Sequence, residues 1–373
     1  MDTTTDQHTP WVLQFTHAQY GPFVDCARQY AALFRDTPYK VCTVYLTGAP
    51  DEAVIQGSAS DEVVFLNQSK QQVRGLKLRA IGKLRRLLGT RRFVLCIAHR
   101  AKPIYIALLA SQLPVIGVHH AFGDYQRWSR RFFVKRFKQR LALLGVSDAT
   151  CKNIRHCMPD WPDWPEHRLA TLYNRVDIAV LQAQQLSRKQ ARVQLGLPAD
   201  AFIVANVGRL HPDKDQALLI RGFAQARSAL PAGAILTIIG SGRLDIPLKA
   251  LAAEELPSES VRFLGQVDFA RRYFQAFDQF VLTSKEETFG IVLLEAMAAG
   301  VPVVCRDDCG GGAEVAADEV LFAADAASLA QAMINTAQTR HFPYYTKALE
   351  KFTDAEARIR FKRLLQQFAI HLP

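Results

Sequence analysis

The chain has 373 residues, of which 49% are hydrophobic and 22% charged, proportions that are typical of a soluble globular protein. A chain of this length is expected to form about two domains, since single domains commonly hold roughly 100–200 residues. The seven scattered cysteines form no Cys-x-x-Cys pair, which excludes a disulfide-rich scaffold and a zinc finger. The first ten residues lack the basic and apolar regions of a signal peptide, and residues 104–118, the longest apolar stretch, are too interrupted to span a bilayer. We therefore expect a cytoplasmic protein.

The net charge of +11 is concentrated in one part of the chain. Residues 63–147 contain 18 lysines and arginines and a single acidic residue, Asp124, so their local charge is +17 and the rest of the chain carries −6. Within this region, residues 70–92 and 127–140 mix cations with leucines or aromatic residues. Such basic amphipathic segments are typical of proteins that bind an anionic membrane face, and a solvated helix face is the alternative.

Short apolar runs alternate with longer segments of helical period along the whole chain. In the first half, buried strands are predicted at residues 11–16, 40–47, 62–67, 93–99, 114–120 and 141–147. In the second half, they are predicted at residues 201–210, 234–242, 261–265, 279–284 and 302–307. Near-continuous apolar strands separated by helices indicate parallel sheets covered on both faces. The sequence therefore predicts an α/β protein with two successive doubly wound sheets.

The boundary between the two halves is predicted near Asn174. The first domain then covers residues 1–173 and the second residues 174–351. The last segment, residues 354–370, has helical period and is expected to return to the first domain, which therefore includes residues 352–373.

Ligands of doubly wound sheets bind at the turns that follow the carboxyl ends of the strands. In the second half, the stretch VGRLHPDK places Gly208, Arg209 and Lys214 directly after a predicted strand. Glycine permits a tight turn, and two cations suit a diphosphate; surface charge at a strand end is the alternative interpretation. The turn IIGSGR at residues 238–243 is weak evidence by itself, because many tight turns use such glycines.

The segment SKEETFGIVLLEAMAAG at residues 284–300 contains two glutamates on either side of an apolar run. A helix is predicted over residues 290–299, so Glu287 precedes it and Glu295 lies in its second turn. The helix N-terminus attracts anions through its free N–H groups and its dipole. At this predicted helix N-terminus, the free N–H groups belong to Phe289, Gly290 and Ile291. Both glutamates can therefore face one ligand that lies across this N-terminus.

These motifs carry a resemblance to a known family. The E-x7-E motif ETFGIVLLE, followed by EAMAAGVPVV, resembles the signature of the retaining glycosyltransferases of family 4, which have the GT-B fold. In the family's order, VGRLHPDK resembles the donor-diphosphate segment, VRFLGQV the nucleobase-side strand and CGGGAEV the GGxxE turn. In the first half, GVSDAT and LYNRVD are looser matches. The resemblance implies two Rossmann-like domains that face each other across a cleft, the first binding the acceptor and the second the nucleotide sugar.

The resemblance also implies roles for individual residues on the donor side. Arg209 and Lys214 would bind the donor diphosphate, and Glu295 would accept hydrogen bonds from the ribose hydroxyls. Glu287 would bind the hydroxyls of the donor sugar, and Val267 would border the base. The amides of Phe289, Gly290 and Ile291 would surround the sugar and the phosphates.

On the acceptor side, the matches are less complete. Gly21 resembles the family's first glycine loop, although Gly-Pro replaces the usual Gly-Gly. The family histidine near the reacting sugar corresponds to His119 or His120; the register leaves both open, and the one that does not face the ligand is expected to cap its strand.

Three residues depart from the family pattern. Arg175 replaces a linker glycine, Asp215 the glycine after the lysine, and Thr283 the proline before the serine. We interpret these departures as changes of backbone shape more than of chemistry.

The resemblance implies transfer of a sugar from a nucleotide-diphosphate sugar to a glycan or glycolipid acceptor with retention of configuration. No Asp-x-Asp motif ends an apolar strand, so we expect no metal and no other cofactor; cations and the helix N-terminus would stabilise the leaving diphosphate. The two glutamates would then hold ligand rather than act as the acid/base pair of a hydrolase. The basic first half favours an acceptor such as lipopolysaccharide core and a peripheral location at the inner face of the cytoplasmic membrane.

Three alternatives remain. A nucleotide-sugar epimerase of the same fold would release free sugar without an acceptor. A phosphorylase of this fold would carry pyridoxal phosphate on a lysine, for which the sequence shows no clear motif. A nucleic-acid-binding protein would account for the basic segments but not for the three turn motifs, so no nucleic-acid partner is expected.

Overall fold

A computed structural model of the chain describes residues 9–159, 164, 166–316, 320–339 and 344–373. The chain divides into two compact units, Met1–Arg175 with Asp354–Pro373, and Val176–Thr353. The sequence places the corresponding boundaries at 173/174 and 351/352. Most of the N-terminal segment in which no signal peptide is predicted lies outside the described residues. Within the described ranges, no helix combines the length and the apolar character needed to cross a bilayer.

The first unit is built on a parallel sheet whose seven described strands run in the order β3-β2-β1-β4-β5-β6-β7. These strands are β1 Trp11–Thr16, β2 Lys40–Tyr45, β3 Glu62–Phe65, β4 Phe93–His99, β5 Val115–His119, β6 Leu141–Gly145 and β7 Leu169–Thr171. The helices between them are α1 Gly21–Ala31, α2 Glu52–Gly57, α3 Leu78–Leu88, α4 Ala101–Ala110, α5 Trp128–Arg136 and α6 Asp148–His156. Strands β1 and β6 are buried throughout, as expected of a parallel sheet covered on both faces.

The second unit repeats this architecture with six described parallel strands in the order β10-β9-β8-β11-β12-β13. They are β8 Ile203–Val207, β9 Ile235–Ile239, β10 Val261–Gly265, β11 Gln279–Leu282, β12 Val303–Arg306 and β13 Leu321–Phe322. Its described helices are α7 Ile178–Ala183, α8 Arg188–Leu195, α9 Gln216–Ala226, α10 Asp245–Glu255, α11 Ile291–Ala298, α12 Gly311–Val315, α13 Ala326–Gln338 and α14 Tyr344–Glu350. The predicted α/β class with two doubly wound sheets is confirmed.

The C-terminal helix, α15 Asp354–Gln367, belongs to the first unit. The ring of Phe361 packs edge-on against Phe34, with 5.7 Å between the ring centroids. At the start of α15, the carboxylate of Asp354 accepts a hydrogen bond of 2.6 Å from Nε of Arg175. Arg175 is 1% exposed, and its guanidinium also donates to the Gln29 carbonyl. The arginine that replaces the linker glycine therefore has a side-chain role of its own, since it links α15 to α1.

Candidate functional site

A cavity of about 210 Å³ lies in the second unit at the carboxyl ends of the adjacent strands β8 and β11. Ligands of doubly wound sheets are expected at this edge. The residues around it are Asn206, Val207, Gly208, Lys214, Gln216, Leu282, Glu287, Gly290, Ile291 and Val292. Three segments that the sequence singles out separately, at 208–214, 287 and 290–291, therefore meet at one cavity.

An ion pair between Lys214 and Glu287 lies at this cavity. The Lys214 Nζ atom is 2.7 Å from Oε2 of Glu287, and the two side chains are only 18% and 15% exposed. Such a short, mostly shielded contact is a charge-assisted hydrogen bond. The ammonium group suits a phosphate oxygen of a ligand, and the carboxylate suits a hydroxyl.

The loop that carries Glu287 is fixed by the glycine-rich segment at residues 309–315. The Glu287 amide donates to the Cys309 carbonyl at 2.7 Å, and the Gly311 amide donates to the Glu287 carbonyl at 2.8 Å. A side chain at Gly311 would overlap the carbonyl oxygen of Thr288, so only glycine lets the two segments approach this closely. The GGxxE segment thus fixes the position of the Glu287 backbone.

Helix α11 begins at the cavity with Ile291, and Gly290 precedes it with a φ of +88°. This left-handed conformation favours glycine, and Gly290 itself has no side chain that could cap the helix. Gly290, Ile291 and Val292 border the cavity, so the positive end of the helix dipole faces its contents. Phe289 differs, because its side chain is 1% exposed and packs against Phe352, and it is not among the residues that line the cavity.

Two of the three residues that depart from the family pattern, Thr283 and Asp215, help to fix the loop that carries Lys214. Thr283 Oγ1 donates to the Lys214 carbonyl at 2.9 Å. Asp215 has a φ of +48°, and its carboxylate lies 3.2 Å from Nζ of Lys285 and 3.3 Å from a guanidinium nitrogen of Arg306. Besides shaping the backbone, these side chains make contacts that keep Lys214 at the cavity.

Other predicted donor residues lie outside the lining of this cavity. The Arg209 side chain is 71% exposed, and its guanidinium lies 3.3 Å from Asp213. Glu295 is half-buried within α11, and Val267 is half-buried after β10. Their proposed roles at the diphosphate, the ribose and the base remain predictions.

Asn206 and Gln216 were not predicted from the sequence, and both line the cavity. Asn206 is 2% exposed and donates from Nδ2 to the Val281 carbonyl at 2.8 Å; Gln216 is fully buried and donates from Nε2 to the Arg209 carbonyl at 3.0 Å. Among the described residues, neither side-chain oxygen has a hydrogen-bond partner. A buried unpaired acceptor is costly, so each suits a donor group of a ligand. The sequence offers a signal for Asn206 alone, because this asparagine lies inside the otherwise apolar run IVANV.

In the first unit, His119 at the end of β5 is fully occupied by protein groups. Its Nδ1 atom is 2.9 Å from the Asp124 carboxylate, and its Nε2 atom is 3.0 Å from the Tyr125 hydroxyl. Burial raises the pKa of Asp124, but the hydrogen bond from His119 and the charge of Arg130 outweigh burial and lower it overall. His119 fits the strand-capping role that the sequence leaves for one histidine of the pair.

His120 is half-buried, with Nε2 3.0 Å from Nδ1 of His99 and Nδ1 3.8 Å from Sγ of Cys26. Burial, followed by the charge of Arg100, lowers the pKa of His120 to about 3, so its imidazole is neutral near pH 7. Both ring nitrogens of His120 therefore also contact protein groups, and the choice between His119 and His120 stays a prediction; His120 is the more exposed of the two. Gly21 opens α1 and is exposed, with no protein atom near the position of an added Cβ.

Comparison with known proteins finds similarity to glycosyltransferases in the second unit. Residues 187–343 match the family described as glycosyl transferases group 1. The chain is 42% identical over 134 residues to D-inositol 3-phosphate glycosyltransferase of Salinispora arenicola, a match that covers 33% of this chain and 29% of that protein. It is 39% identical over 113 residues to the lipopolysaccharide core biosynthesis glycosyltransferase LpsE of Rhizobium meliloti, covering 30% and 32%. The alignments thus span about three tenths of these relatives.

Solved structures extend the likeness to the whole chain. The structure of Anabaena Alr3699/HepE in complex with UDP and glucose superposes with a TM-score of 0.73 at 19% identity, covering 95% of this chain and 99% of that one. At this identity, the likeness establishes the fold. The predicted GT-B fold and the resemblance to GT-B glycosyltransferases are confirmed.

Proposed function

We propose that the chain is a retaining glycosyltransferase of family 4 that transfers a sugar from a nucleotide-diphosphate sugar to a glycan or glycolipid. The observation that carries this proposal is the Lys214–Glu287 pair beside the N-terminus of α11, within a domain that matches group 1 glycosyltransferases. A nucleotide and a sugar are also the molecules bound in the Anabaena structure of the same fold.

Each group at the cavity has a part in this reaction. Lys214 and the N-terminus of α11 offset the negative charge of the diphosphate. Glu287 accepts hydrogen bonds from hydroxyls of the donor sugar, while Asn206 and Gln216 offer buried acceptors to neighbouring groups. Arg209 reaches the diphosphate from outside the cavity, Glu295 binds the ribose, and Val267 borders the base.

The chemical step breaks the bond between the anomeric carbon and the diphosphate oxygen. The acceptor oxygen attacks from the same face, and its proton passes to the departing diphosphate, which leaves as the nucleoside diphosphate. Preorganised positive groups at such a leaving group commonly contribute several kcal/mol. We propose that Lys214 and the helix N-terminus take this part without a metal ion. In the first unit, His120 and the loop at Gly21 would lie on the acceptor side.

The part of the first unit that carries the excess of cations, residues 63–147, suits peripheral binding at an anionic membrane. Helices α3 and α5 lie in the basic segments 70–92 and 127–140, and large apolar side chains nearby are about 70% exposed: Leu76, Leu78, Trp128 and Phe132. Cations with exposed aromatic and aliphatic groups favour the membrane interface. Lipopolysaccharide core, which the Rhizobium relative is named for, is an acceptor of this kind. Sedimentation with phosphatidylglycerol vesicles should fall as salt rises, and binding that ignores salt would contradict this part.

A transfer assay tests the proposed function. The chain is incubated with UDP-, GDP- and ADP-linked sugars and a lipopolysaccharide-core acceptor, with and without EDTA. We expect one donor to release its nucleoside diphosphate in an acceptor-dependent reaction that EDTA does not stop, with the configuration at the anomeric carbon retained in the product by NMR. Acceptor-independent release of free sugar would support the epimerase instead. Loss of activity with EDTA and recovery with manganese would contradict the metal-free mechanism.

A further inference from the structure

A group of cations in the first unit has no role in the reaction described so far. Lys77, Arg100, Lys102 and Arg130 are half-buried, and Arg74 nearby is exposed. Asp124 is the only acidic residue between residues 63 and 147, and it is already bonded to His119 and Arg130. Among the described residues, no carboxylate lies within 4.0 Å of Arg74, Lys77, Arg100 or Lys102.

Ring contacts connect the segments that carry three of these cations. The Lys77 Nζ atom, just before α3, lies 4.6 Å from the ring centroid of Tyr105 on α4. The Tyr105 ring in turn lies 4.6 Å from that of Phe133 on α5. Lys102 precedes Tyr105 by three residues, and Arg130 precedes Phe133 by three, so each shares a helix face with its aromatic residue. The aromatic pair is therefore flanked by Lys77 before α3, Lys102 on α4 and Arg130 on α5.

Arg100 places a further charge at the same edge of the sheet. It directly follows β4, with a φ of +74°, and its guanidinium carbon lies 5.4 Å from the ring centroid of Phe23 on α1. Strand β4 lies between β1 and β5, so Arg100 stands among the carboxyl ends of three neighbouring strands. The Arg130 guanidinium is held by the Asp124 carbonyl at 2.9 Å.

Burial and the neighbouring like charges both lower the pKa values of Lys77 and Lys102. Burial lowers the pKa of Lys102, and the charges of Arg130, Arg74 and Arg100 lower it further. Burial likewise lowers the pKa of Lys77, with additional contributions from Lys102 and Arg130. Half-buried like charges without counter-ions are unfavourable, and a bound anion would relieve the repulsion.

We propose that Lys77, Lys102 and Arg130, with Arg74 and Arg100, form a phosphate-binding site that takes a phosphoryl group of the acceptor. That the phosphoryl group belongs to an acceptor rests on the proposed function. The existence of the site does not, because phosphate binding alone tests it. Several neighbouring cations suit a group with two negative charges, and the aromatic pair Tyr105 and Phe133 offers apolar surface beside them. The same chemistry would bind a membrane phospholipid headgroup, so the test separates the two sources.

The test compares the binding of glucose 6-phosphate and glucose to the full-length chain by calorimetry. We expect binding of the sugar phosphate only, and a loss of about tenfold or more in the Lys77→Gln/Lys102→Gln variant, because two charged hydrogen bonds are removed. Lys152→Gln on α6, which removes an exposed cation outside the group, is the control and should bind as wild type. Sugar-phosphate binding that is lost in Lys214→Met and unchanged in the double variant would place the ligand at the cavity of the second unit and overturn the proposal.

Melting temperatures check that the variants are folded, and Arg130→Gln replaces the double variant if that one is not. Equal binding by wild type and the folded variant would overturn the proposal. So would a variant that binds the sugar phosphate normally but loses binding to phosphatidylglycerol vesicles, because the site would then serve headgroups. A chain that binds the sugar phosphate as expected but transfers no sugar would refute the proposed function and leave this site in place.

Discussion

Lys214 and Glu287 are 73 residues apart in the chain, and their charged atoms lie 2.7 Å apart. Each neutralises the other at the cavity. A ligand that brings a phosphate to Lys214 and a hydroxyl to Glu287 can replace this contact with two charge-assisted hydrogen bonds. The pair therefore keeps the polar groups of the cavity in position without leaving either charge buried and uncompensated.

The role of Glu295 leads to a direct prediction. Glu295→Ala should weaken nucleoside diphosphate binding by about 1.5–3 kcal/mol, the usual effect of a lost hydrogen bond to a charged group. Glu254→Ala on α10, which is exposed, is the matched control. Calorimetric titration measures both, and an unchanged dissociation constant for Glu295→Ala would remove this residue from the ribose site.

The buried histidines of the first unit predict a pH dependence of stability. Burial lowers the pKa of His17 to about 4 and of His120 to about 3, from 6.5 in the unfolded chain. Between these values the unfolded chain binds more protons than the folded chain, so the free energy of unfolding decreases as pH falls below about 6.5. The melting temperature should therefore drop between pH 7.5 and pH 5. The drop should be smaller in His120→Asn; an equal drop would contradict the assignment.

At the scale of elements, the sequence predicts the strands better than the details of the site. The runs that form β8 and β11 are apolar and β-branched, and burial on both faces leaves little freedom in their structure. Strands β7 and β13 have only three and two residues, too few for a hydrophobic pattern to identify. Asn206 and Gln216 escape prediction because the direction of a side chain depends on its packing, which spacing does not encode.

The junction between α12 and the Glu287 loop gives an element-scale prediction. Gly311→Ala should destabilise the second unit by about 1–3 kcal/mol, because the added methyl group overlaps the Thr288 carbonyl. Gly82→Ala on α3 meets no protein atom within 4 Å and should instead be stabilising by about 0.5–1 kcal/mol. Thermal denaturation of the two variants distinguishes them, and a neutral Gly311→Ala would show that the two segments separate easily.

At the scale of the molecule, the chain carries one nucleotide-binding candidate and one phosphate-binding candidate, each in its own unit. The C-terminal helix α15 belongs to the first unit although the second precedes it in the chain. Helical period alone predicts the helix. The buried Arg175 side chain that links it to α1 was not foreseen, because a linker residue gives no sequence signal of its burial.

This link predicts the effect of removing its carboxylate. Asp354→Ala should lower the free energy of unfolding of the first unit by about 1.5–3 kcal/mol, since it leaves the Arg175 guanidinium without its charged partner. Asp36→Asn removes the charge of a carboxylate that is 84% exposed and lies 3.5 Å from Arg358 on α15, and asparagine tolerates the φ of +62° at this position. That control should change stability by less than about 0.5 kcal/mol. Equal effects in denaturant titrations would contradict the link.

The central claim is that the cavity around Lys214 binds the diphosphate of a nucleotide sugar. Calorimetric titration of UDP, GDP and ADP into wild type, Lys214→Met and the exposed control Lys249→Met tests this claim most directly. We predict that one nucleoside diphosphate binds wild type and Lys249→Met equally, and Lys214→Met at least about tenfold more weakly. The claim would be contradicted if wild type bound none of the three nucleotides, or if Lys214→Met bound the nucleotide as tightly as wild type does.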